Sequence, residues 1–338
     1  MTDLLLEIND LKTSFYTETG LVTAVNGVSF NVKKGEIVGV VGESGCGKSV
    51  MSQTILRLFE EGTVEFEGEI NFKGNNLLTL SNKQMNKVRG DQISMIFQDP
   101  LSTLNPVHSV GRQISESIVL HQKVSKKVAE QKAIELLQLV GIPSPEKRAK
   151  EYPHNLSGGM RQRAMIAVAL ACRPELLIAD EPTTALDVTI QAQILDLMKN
   201  LNTELDMGII FITHDLGVVA ELCSRVIVMY LGEVVEEASL EELFSRPLHP
   251  YTQGLIKSIP QLDGDRTKPL HTIEGTVPPL TRVPIGCRFA TRCQFADEQC
   301  RTSSPPVSEY SPTQKVKCWN FEQILAKQEV AADVHVCT

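Results

Sequence analysis

Residues 42–49 read GESGCGKS, that is Gly42, Glu43, Ser44, Gly45, Cys46, Gly47, Lys48 and Ser49. They match the phosphate-binding pattern GxxxxGKS/T and follow an apolar run, IVGVV at 37–41. Glycines let the backbone curl so that its N–H groups point at phosphate oxygens, and the lysine reaches the β- and γ-phosphates. The Ser49 hydroxyl is then a ligand for Mg²⁺. The segment predicts an α/β fold in which a strand, a phosphate loop and a helix bind a nucleotide.

Other short apolar runs alternate with segments of helical period, as in parallel sheets that carry helices on their faces. The further strand candidates are 93–97, 176–180, 209–213 and 225–230. Gln98, Asp180 and His214 lie at the ends of three of them, where ligands bind in such sheets. An earlier block is typical of an antiparallel sheet and comprises 4–15, 28–34 and 68–74.

Composition and charge exclude some classes of protein. The 338 residues suggest two domains, and 42% hydrophobic residues suffice for a core. With 33 basic and 41 acidic residues the net charge is −8, so the overall electrostatic field does not favour binding of nucleic acid. Nucleic acid is therefore not expected as a partner. No apolar run approaches the ~18 residues that span a bilayer, and the first residues lack the order of a signal peptide. We therefore expect a cytosolic protein.

The segment between Gln98 and Leu156 has a helical texture. After Ser125, an apolar stripe of Ile134, Leu137 and Val140 predicts a helix whose stripe packs in the core. From about residue 246 the chain changes, because ten of its 17 prolines follow, and this tail is expected to be rich in loops.

A carboxylate pair follows the strand candidate at 176–180. Phosphoryl transfer needs one carboxylate to hold Mg²⁺ and a group that orients water. Asp180 and Glu181 supply both, with Asp180 as the Mg²⁺ ligand and Glu181 as the candidate general base.

The segment Leu156-Ser157-Gly158-Gly159-Met160, followed by RQRAMIAVALACRP, resembles the signature of ATP-binding cassette (ABC) ATPases. Many members have Gln where this chain has Met160, but the Ser-Gly-Gly turn is intact. Further elements of that family follow in order: Gln98 as the lid glutamine, Asp180, Glu181, the Ala185-Leu186-Asp187 turn and His214.

The resemblance implies a P-loop cassette with a mixed sheet core, an antiparallel β subdomain and a helical subdomain. It implies that two ATPs lie between two cassettes in a head-to-tail dimer, where Ser157, Gly158 and Gly159 contact the γ-phosphate held by the opposite subunit. Glu181 then polarises water, and Lys48, His214 and Mg²⁺ stabilise the transferring phosphoryl group. The remaining implied contacts are Gln98 to Mg²⁺, Asp187 to the nucleotide site, and an aromatic ring on adenine, for which Phe15 aligns better than Tyr16.

The tail narrows the resemblance. Residues 246–260, RPLHPYTQGLIKSIP, resemble the segment after the cassette in ATPases of bacterial oligopeptide and dipeptide importers. This implies an ATPase at the cytoplasmic face of the bacterial plasma membrane that energises import of di- and oligopeptides. The implied partners are two membrane permeases that dock near Gln98, a paralogous second ATPase and, indirectly, a substrate-binding protein. Import of nickel or another small solute is an alternative, and a soluble ABC ATPase of translation or DNA metabolism is one from a different class.

Four of the eight cysteines lie in the tail: Cys287, Cys293, Cys300 and Cys318. Four thiolates in a compact segment bind Zn²⁺ or an iron-sulfur cluster, and unliganded thiols are a third interpretation. The resemblance favours a 4Fe-4S cluster, which would staple a region with little core of its own.

The expected division is a nucleotide-binding domain over 1–245, with its helical subdomain at about 99–160. A small C-terminal domain that contains the four cysteines over 246–328 and a disordered tail over 329–338 complete it. No role is assigned to Cys337 or to the last ten residues.

Overall fold

The computed structural model describes residues 3–18, 20–184, 187–259 and 271–326. The strands are β1 (Leu4–Thr17), β2 (Gly20–Lys33), β3 (Ile37–Val41), β4 (Val64–Phe72), β5 (Asn75–Asn76), β6 (Ile93–Ile96), β7 (Leu176–Asp180), β8 (Gly208–Thr213), β9 (Arg225–Tyr230), β10 (Glu233–Ser239), β11 (Ser308–Ser311) and β12 (Gln314–Val316). The helices are α1 (Lys48–Ile55), α2 (Asn82–Val88), α3 (Pro100–Thr103), α4 (Val110–Gln122), α5 (Lys126–Leu139), α6 (Pro145–Arg148), α7 (Gly158–Ala169), α8 (Val188–Leu205), α9 (Leu216–Leu222), α10 (Leu240–Ser245), α11 (Pro250–Lys257) and α12 (Glu298–Thr302).

Two sheets organise the described part of the chain. The larger has the order β11-β12-β10-β9-β3-β8-β7-β6, and its strands from β9 to β6 are parallel. The smaller, β2-β1-β4-β5, is antiparallel. In the larger sheet Val41 is in register with Thr213, and Asp180 with Ile212. The carboxyl ends of β3, β7 and β8 therefore meet at one edge, and the polar residues that follow them lie together.

The core forms two layers because side chains alternate along each central strand. Val38 and Val40 of β3 pack with α1 and the antiparallel sheet on one face. Ile37 and Val41 pack with the helices on the other face. Gly39 lets α9 approach, since a Cβ there would lie 3.0 Å from Val219 and 3.1 Å from Cys223.

The strands predicted at 37–41, 176–180 and 225–230 are confirmed with their bounds. The predicted helix after Ser125 is α5, which Ser125 caps. Leu137 and Val140 are buried as expected, but Ile134 is half-buried and lines a groove between α4 and α5. Among the helices that the structure describes, none is both long and apolar enough to cross a bilayer.

The tail continues the main sheet. β12 pairs antiparallel with β10, and β11 pairs with β12. The sequence did not indicate β10, because its glutamates are not typical of a buried strand. Glu233 and Glu236 are nonetheless buried there, and Glu233 is paired with Arg288 and Lys317. Residues 329–338, where we expected disorder, lie outside the described residues.

Candidate functional site

The phosphate loop connects β3 to α1 through backbone angles that favour glycine. Gly45 has φ +80° and Gly47, which precedes α1, has φ +98°. A Cβ on Gly47 would lie 2.6 Å from the carbonyl oxygen of Ala24. The loop therefore leads directly into the N-terminus of an eight-residue helix, where free N–H groups favour an anion.

Lys48 holds the loop from within. Its side chain is buried, and Nζ donates hydrogen bonds to the carbonyl oxygens of Gly42 at 2.7 Å and Glu43 at 3.1 Å. Nζ also contacts Sγ of Cys46 at 3.7 Å, so the acceptors around it are two backbone carbonyls and a thiol rather than a carboxylate. The arrangement suits a phosphate group at the centre of the loop.

Ser49 and Asp180 form the adjoining pair of oxygen donors. The Ser49 hydroxyl lies 3.2 Å from Oδ1 of Asp180 at the end of β7. Burial raises the pKa of Asp180, although the Ser49 hydrogen bond acts in the opposite direction. A hydroxyl and a carboxylate beside a phosphate loop are hard ligands that fit Mg²⁺.

Glu181 is the residue on which the neighbouring strand ends converge. Oε2 accepts hydrogen bonds from Nε2 of Gln98 at 2.9 Å and from the Thr184 hydroxyl at 3.0 Å. Nδ1 of His214 lies 3.2 Å from Oε1. The structure thus brings Gln98, Glu181 and His214 together, and it adds Thr184, which the sequence analysis did not identify.

Both the backbone and the charge state of Glu181 are constrained. Its φ is +47°, in the left-handed region, and its N–H donates to the carbonyl of Ile212 at 2.9 Å. Such a conformation costs about 1–3 kcal/mol and is typical of functional sites. Burial alone raises the pKa of Glu181, but the hydrogen bonds from His214 and Thr184 outweigh it, and the pKa lies below its usual value. The carboxylate is therefore ionised at neutral pH and able to accept a proton.

The signature turn lies at a different helix. Ser157 caps α7 and accepts a hydrogen bond from the N–H of Met160 at 3.4 Å, while Ser157 and Gly158 are exposed. Gly159 lies against Ile190, whose N–H donates to the capping Asp187 at 2.9 Å. The two capped N-termini thus adjoin each other on the surface. Ala185 and Leu186 lie outside the described residues.

Two aromatic residues of β1 were candidates for stacking on adenine. Phe15 is half-buried and packs edge-to-face on Phe59, with 5.1 Å between ring centroids. Tyr16 is 60% exposed, and its hydroxyl donates to Glu65 at 3.1 Å. The assignment of Phe15 stays a prediction.

The four tail cysteines line one small cavity of about 10 Å³, together with Phe289, Phe295 and Trp319. Burial raises the pKa of each thiol, to about 11 for Cys293 and about 12 for Cys318. Neighbouring thiols act in the same direction on Cys287, Cys293 and Cys318. Within the described ranges, no three His, Cys, Asp or Glu residues stand close enough to hold one metal ion. The four cysteines line the same cavity, and the metal centre stays a prediction.

A contact between the tail and the phosphate loop was not predicted from the sequence. Tyr251 of α11 and Arg292, next to Cys293, both bind Glu43 of the loop. The importer-like segment at 246–260 and an arginine between two cysteines were the available signals, but neither indicates a partner about 200 residues away in sequence.

Comparisons with known proteins agree with this geometry. A family model described as "ABC transporter" matches residues 25–184, and one described as "Oligopeptide/dipeptide transporter, C-terminal region" matches residues 235–300. A probable peptide ABC transporter ATP-binding protein of Sinorhizobium fredii is 55% identical over 324 residues, which are 96% of this chain and 97% of that protein. The oligopeptide transport ATP-binding protein AppD of Bacillus subtilis is 50% identical over 325 residues, 96% of this chain and 99% of that protein.

Solved structures give the same result for the fold. A dimeric post-hydrolysis state of the ATP-binding cassette MJ0796, bound to ADP and Pi, aligns with a TM-score of 0.63 and 30% identity. The alignment covers 70% of this chain and 98% of that one. The predicted cassette fold is therefore confirmed, whereas these comparisons do not test the predicted metal in the tail.

Proposed function

We propose, because the chain belongs to the ABC transporter ATP-binding proteins of the oligopeptide and dipeptide type, that it hydrolyses ATP to energise import of di- and oligopeptides. The observation that carries the proposal is the Glu181 carboxylate, which three side chains hold beside a complete phosphate loop. The peptide-transport names of its relatives support peptides over nickel as the substrate, and over a role in translation or DNA metabolism.

Binding of ATP falls to the phosphate loop. The N–H groups of residues 44, 45 and 47–49 and the ammonium of Lys48 would surround the β- and γ-phosphates. Ser49 and Asp180, with Gln98, would hold Mg²⁺, which when bound neutralises charge on those phosphates. Phe15 would stack on adenine.

Hydrolysis falls to Glu181. Its ionised carboxylate would accept a proton as water attacks the γ-phosphate. Gln98 and Thr184 fix one carboxylate oxygen and His214 the other, so the carboxylate is oriented before the substrate arrives. His214 and Lys48 would stabilise charge on the transferring group.

A second cassette would complete the site. Ser157 and Gly158 are exposed at the start of α7, and Asp187 is exposed at the start of α8. Exposed N–H groups at a helix start suit the γ-phosphate held by the opposite subunit of a head-to-tail dimer. We infer a paralogous ATPase as that subunit.

The permeases would dock on the helical subdomain. A groove of about 800 Å³ lies between α4 and α5, lined by charged residues such as Arg112 and Glu130 and by apolar ones such as Leu120, which is 71% exposed. A groove of this size and mixed lining suits a short helix of a membrane partner. We infer two permeases, a substrate-binding protein outside the membrane, and a position of this chain at the cytoplasmic face.

The four cysteines suit a 4Fe-4S cluster in the nature of their donors. Four thiols share one cavity with apolar walls. In a 4Fe-4S cluster, each of the four irons is bound by a separate cysteine thiolate. Protein purified without air should be brown and contain iron and acid-labile sulfide, whereas stoichiometric zinc without iron would exclude the cluster.

Transport is tested in the assembled complex. Tagged protein should co-purify with two permeases and a second ATPase, and vesicles that contain the complex should take up a labelled dipeptide or oligopeptide only with Mg²⁺ and ATP. ATP-driven uptake of nickel without uptake of peptide would overturn the substrate assignment. If the protein purifies as an isolated homodimer and nucleic acid stimulates its ATP hydrolysis, the transport role is overturned.

A further inference from the structure

The C-terminal segment holds the phosphate loop at Glu43. The guanidinium of Arg292 donates to both carboxylate oxygens, from Nη1 to Oε2 at 2.6 Å and from Nη2 to Oε1 at 3.0 Å. The backbone N–H of Glu43 donates to the Tyr251 hydroxyl at 2.8 Å. We propose that Arg292 and Tyr251 are positioning residues that act through Glu43 to keep the phosphate loop competent for ATP, an inference that rests on the proposed function. We call the three residues the Glu43 clamp.

Arg292 is held rigidly enough to position another group. Its side chain is 3% exposed. Nε donates to the carbonyl of Glu274 at 3.0 Å, and Nη2 also donates to that of Ile273 at 3.2 Å. The guanidinium lies 5.8 Å from the ring centroid of Tyr230 and 5.9 Å from that of Phe289. A bidentate pair on a fixed guanidinium sets the orientation of the carboxylate as well as its charge.

Tyr251 is fixed by the same aromatic cluster. Its ring is fully buried and packs on Tyr230 at 4.8 Å and Phe289 at 5.4 Å between centroids. Its hydroxyl reaches the phosphate loop at Glu43. This contact gives a role to the importer-like segment at 246–260, which carries Tyr251 but has no part in the chemistry of hydrolysis.

Glu43 connects Arg292 and Tyr251 to Lys48, which is one of the groups that would bind phosphate. Its carbonyl accepts a hydrogen bond from Nζ of Lys48, and its N–H donates to Tyr251. The peptide units before and after Glu43 are therefore both held by hydrogen bonds. Its carboxylate is 30% exposed beside the place where polyphosphate would bind. An uncompensated negative charge there would repel ATP, and Arg292 neutralises it.

The test compares KM with kcat for Mg-ATP in the full chain, along with ATP binding at equilibrium. Arg292→Gln should raise KM about tenfold and change kcat less than about twofold, because the ground-state site is what the clamp holds. Arg292→Lys, which keeps the charge but not the bidentate geometry, should give a smaller rise. Arg301→Gln removes an equal charge from an exposed site in the same domain and should match the wild type.

The double variant Glu43→Gln/Arg292→Gln separates the clamp from a general structural role. It removes both charges and keeps the Tyr251 contact with the Glu43 backbone, so KM should return to within about threefold of the wild type. A KM that stays high in the double variant, or a normal KM in Arg292→Gln, would overturn the proposal.

Where Arg292→Gln fails to fold, Tyr251→Phe removes one hydroxyl and keeps the ring. It should raise KM about threefold, and an unchanged KM would likewise reject the clamp. ATP binding at equilibrium tests the clamp even in a protein that does not hydrolyse, so failure of the proposed function is distinguishable from failure of the clamp.

Discussion

Replacing Glu236 by glutamine tests whether one buried carboxylate anchors the C-terminal segment to the sheet. Glu236 lies on β10 and is 1% exposed. Oε1 accepts from the N–H of Leu248 at 2.8 Å and from Nε2 of Gln314 at 3.0 Å, and Oε2 accepts from the N–H of His249 at 2.9 Å. The carboxylate thus joins β10, β12 and the turn that leads to Tyr251.

The cost of Glu236→Gln follows from its acceptors. Each carboxylate oxygen of Glu236 accepts a backbone N–H, whereas a glutamine amide has only one oxygen. In either orientation of the amide, one of the two backbone N–H groups therefore faces the NH₂ group and loses its acceptor. Burial raises the pKa of Glu236, whereas the N–H groups of Leu248 and His249 act in the opposite direction. Losing one hydrogen bond and leaving a buried N–H unpaired costs about 2–4 kcal/mol. At about 2–4 °C per kcal/mol for a large domain, Tm should fall by about 4–16 °C.

The assay is thermal and urea unfolding of the full chain at neutral pH. Glu241→Gln is the matched control, because it makes the same chemical change at an exposed residue of the neighbouring helix α10. It should change the free energy of unfolding by less than about 0.5 kcal/mol. The reasoning is refuted if the two variants unfold within about 0.5 kcal/mol of each other.

Two further predictions concern the phosphate loop and Glu181. Gly47→Ala should weaken ATP binding at least about tenfold, because a Cβ there would lie 2.6 Å from the Ala24 carbonyl oxygen. The control is Gly62→Ala, which has a similar φ of +82° and open space around the Cβ, and it should bind ATP normally. Equal ATP binding by the two variants would contradict the loop geometry. Gln98→Ala should slow single-turnover release of phosphate about 100-fold, because the amide orients Glu181, while the affinity for ATP stays within about threefold of the wild type. An equal loss of ATP affinity would show that Gln98 serves ATP binding rather than hydrolysis.

The central strands and the loop were predictable from local sequence. IVGVV at 37–41 and the glycines that follow it constrain the chain by themselves, since buried apolar runs form parallel strands and positive φ favours glycine. The polar residues after the strands were predictable as a group because parallel strands end at one edge.

Contacts over long distances in sequence were not predictable. Glu233 is buried against Arg288 and Lys317 of the tail and Asn26 of β2, and Glu236 accepts backbone N–H groups of the tail. The pairing of Arg292 with Glu43 spans 249 positions, and nothing in either local segment indicates it. Ile134 follows a core pattern yet lines a groove, because periodicity shows which face of a helix is apolar but not what covers that face.

The most direct test of the account is hydrolysis by Glu181→Gln. Glutamine keeps the shape of the side chain but cannot accept a proton from water at neutral pH, so steady-state phosphate release should fall at least about 100-fold while ATP still binds. The measurement is phosphate release and retained ATP in the full chain with Mg²⁺, beside the wild type. Release at the wild-type rate would contradict Glu181 as the general base and, with it, the assigned site.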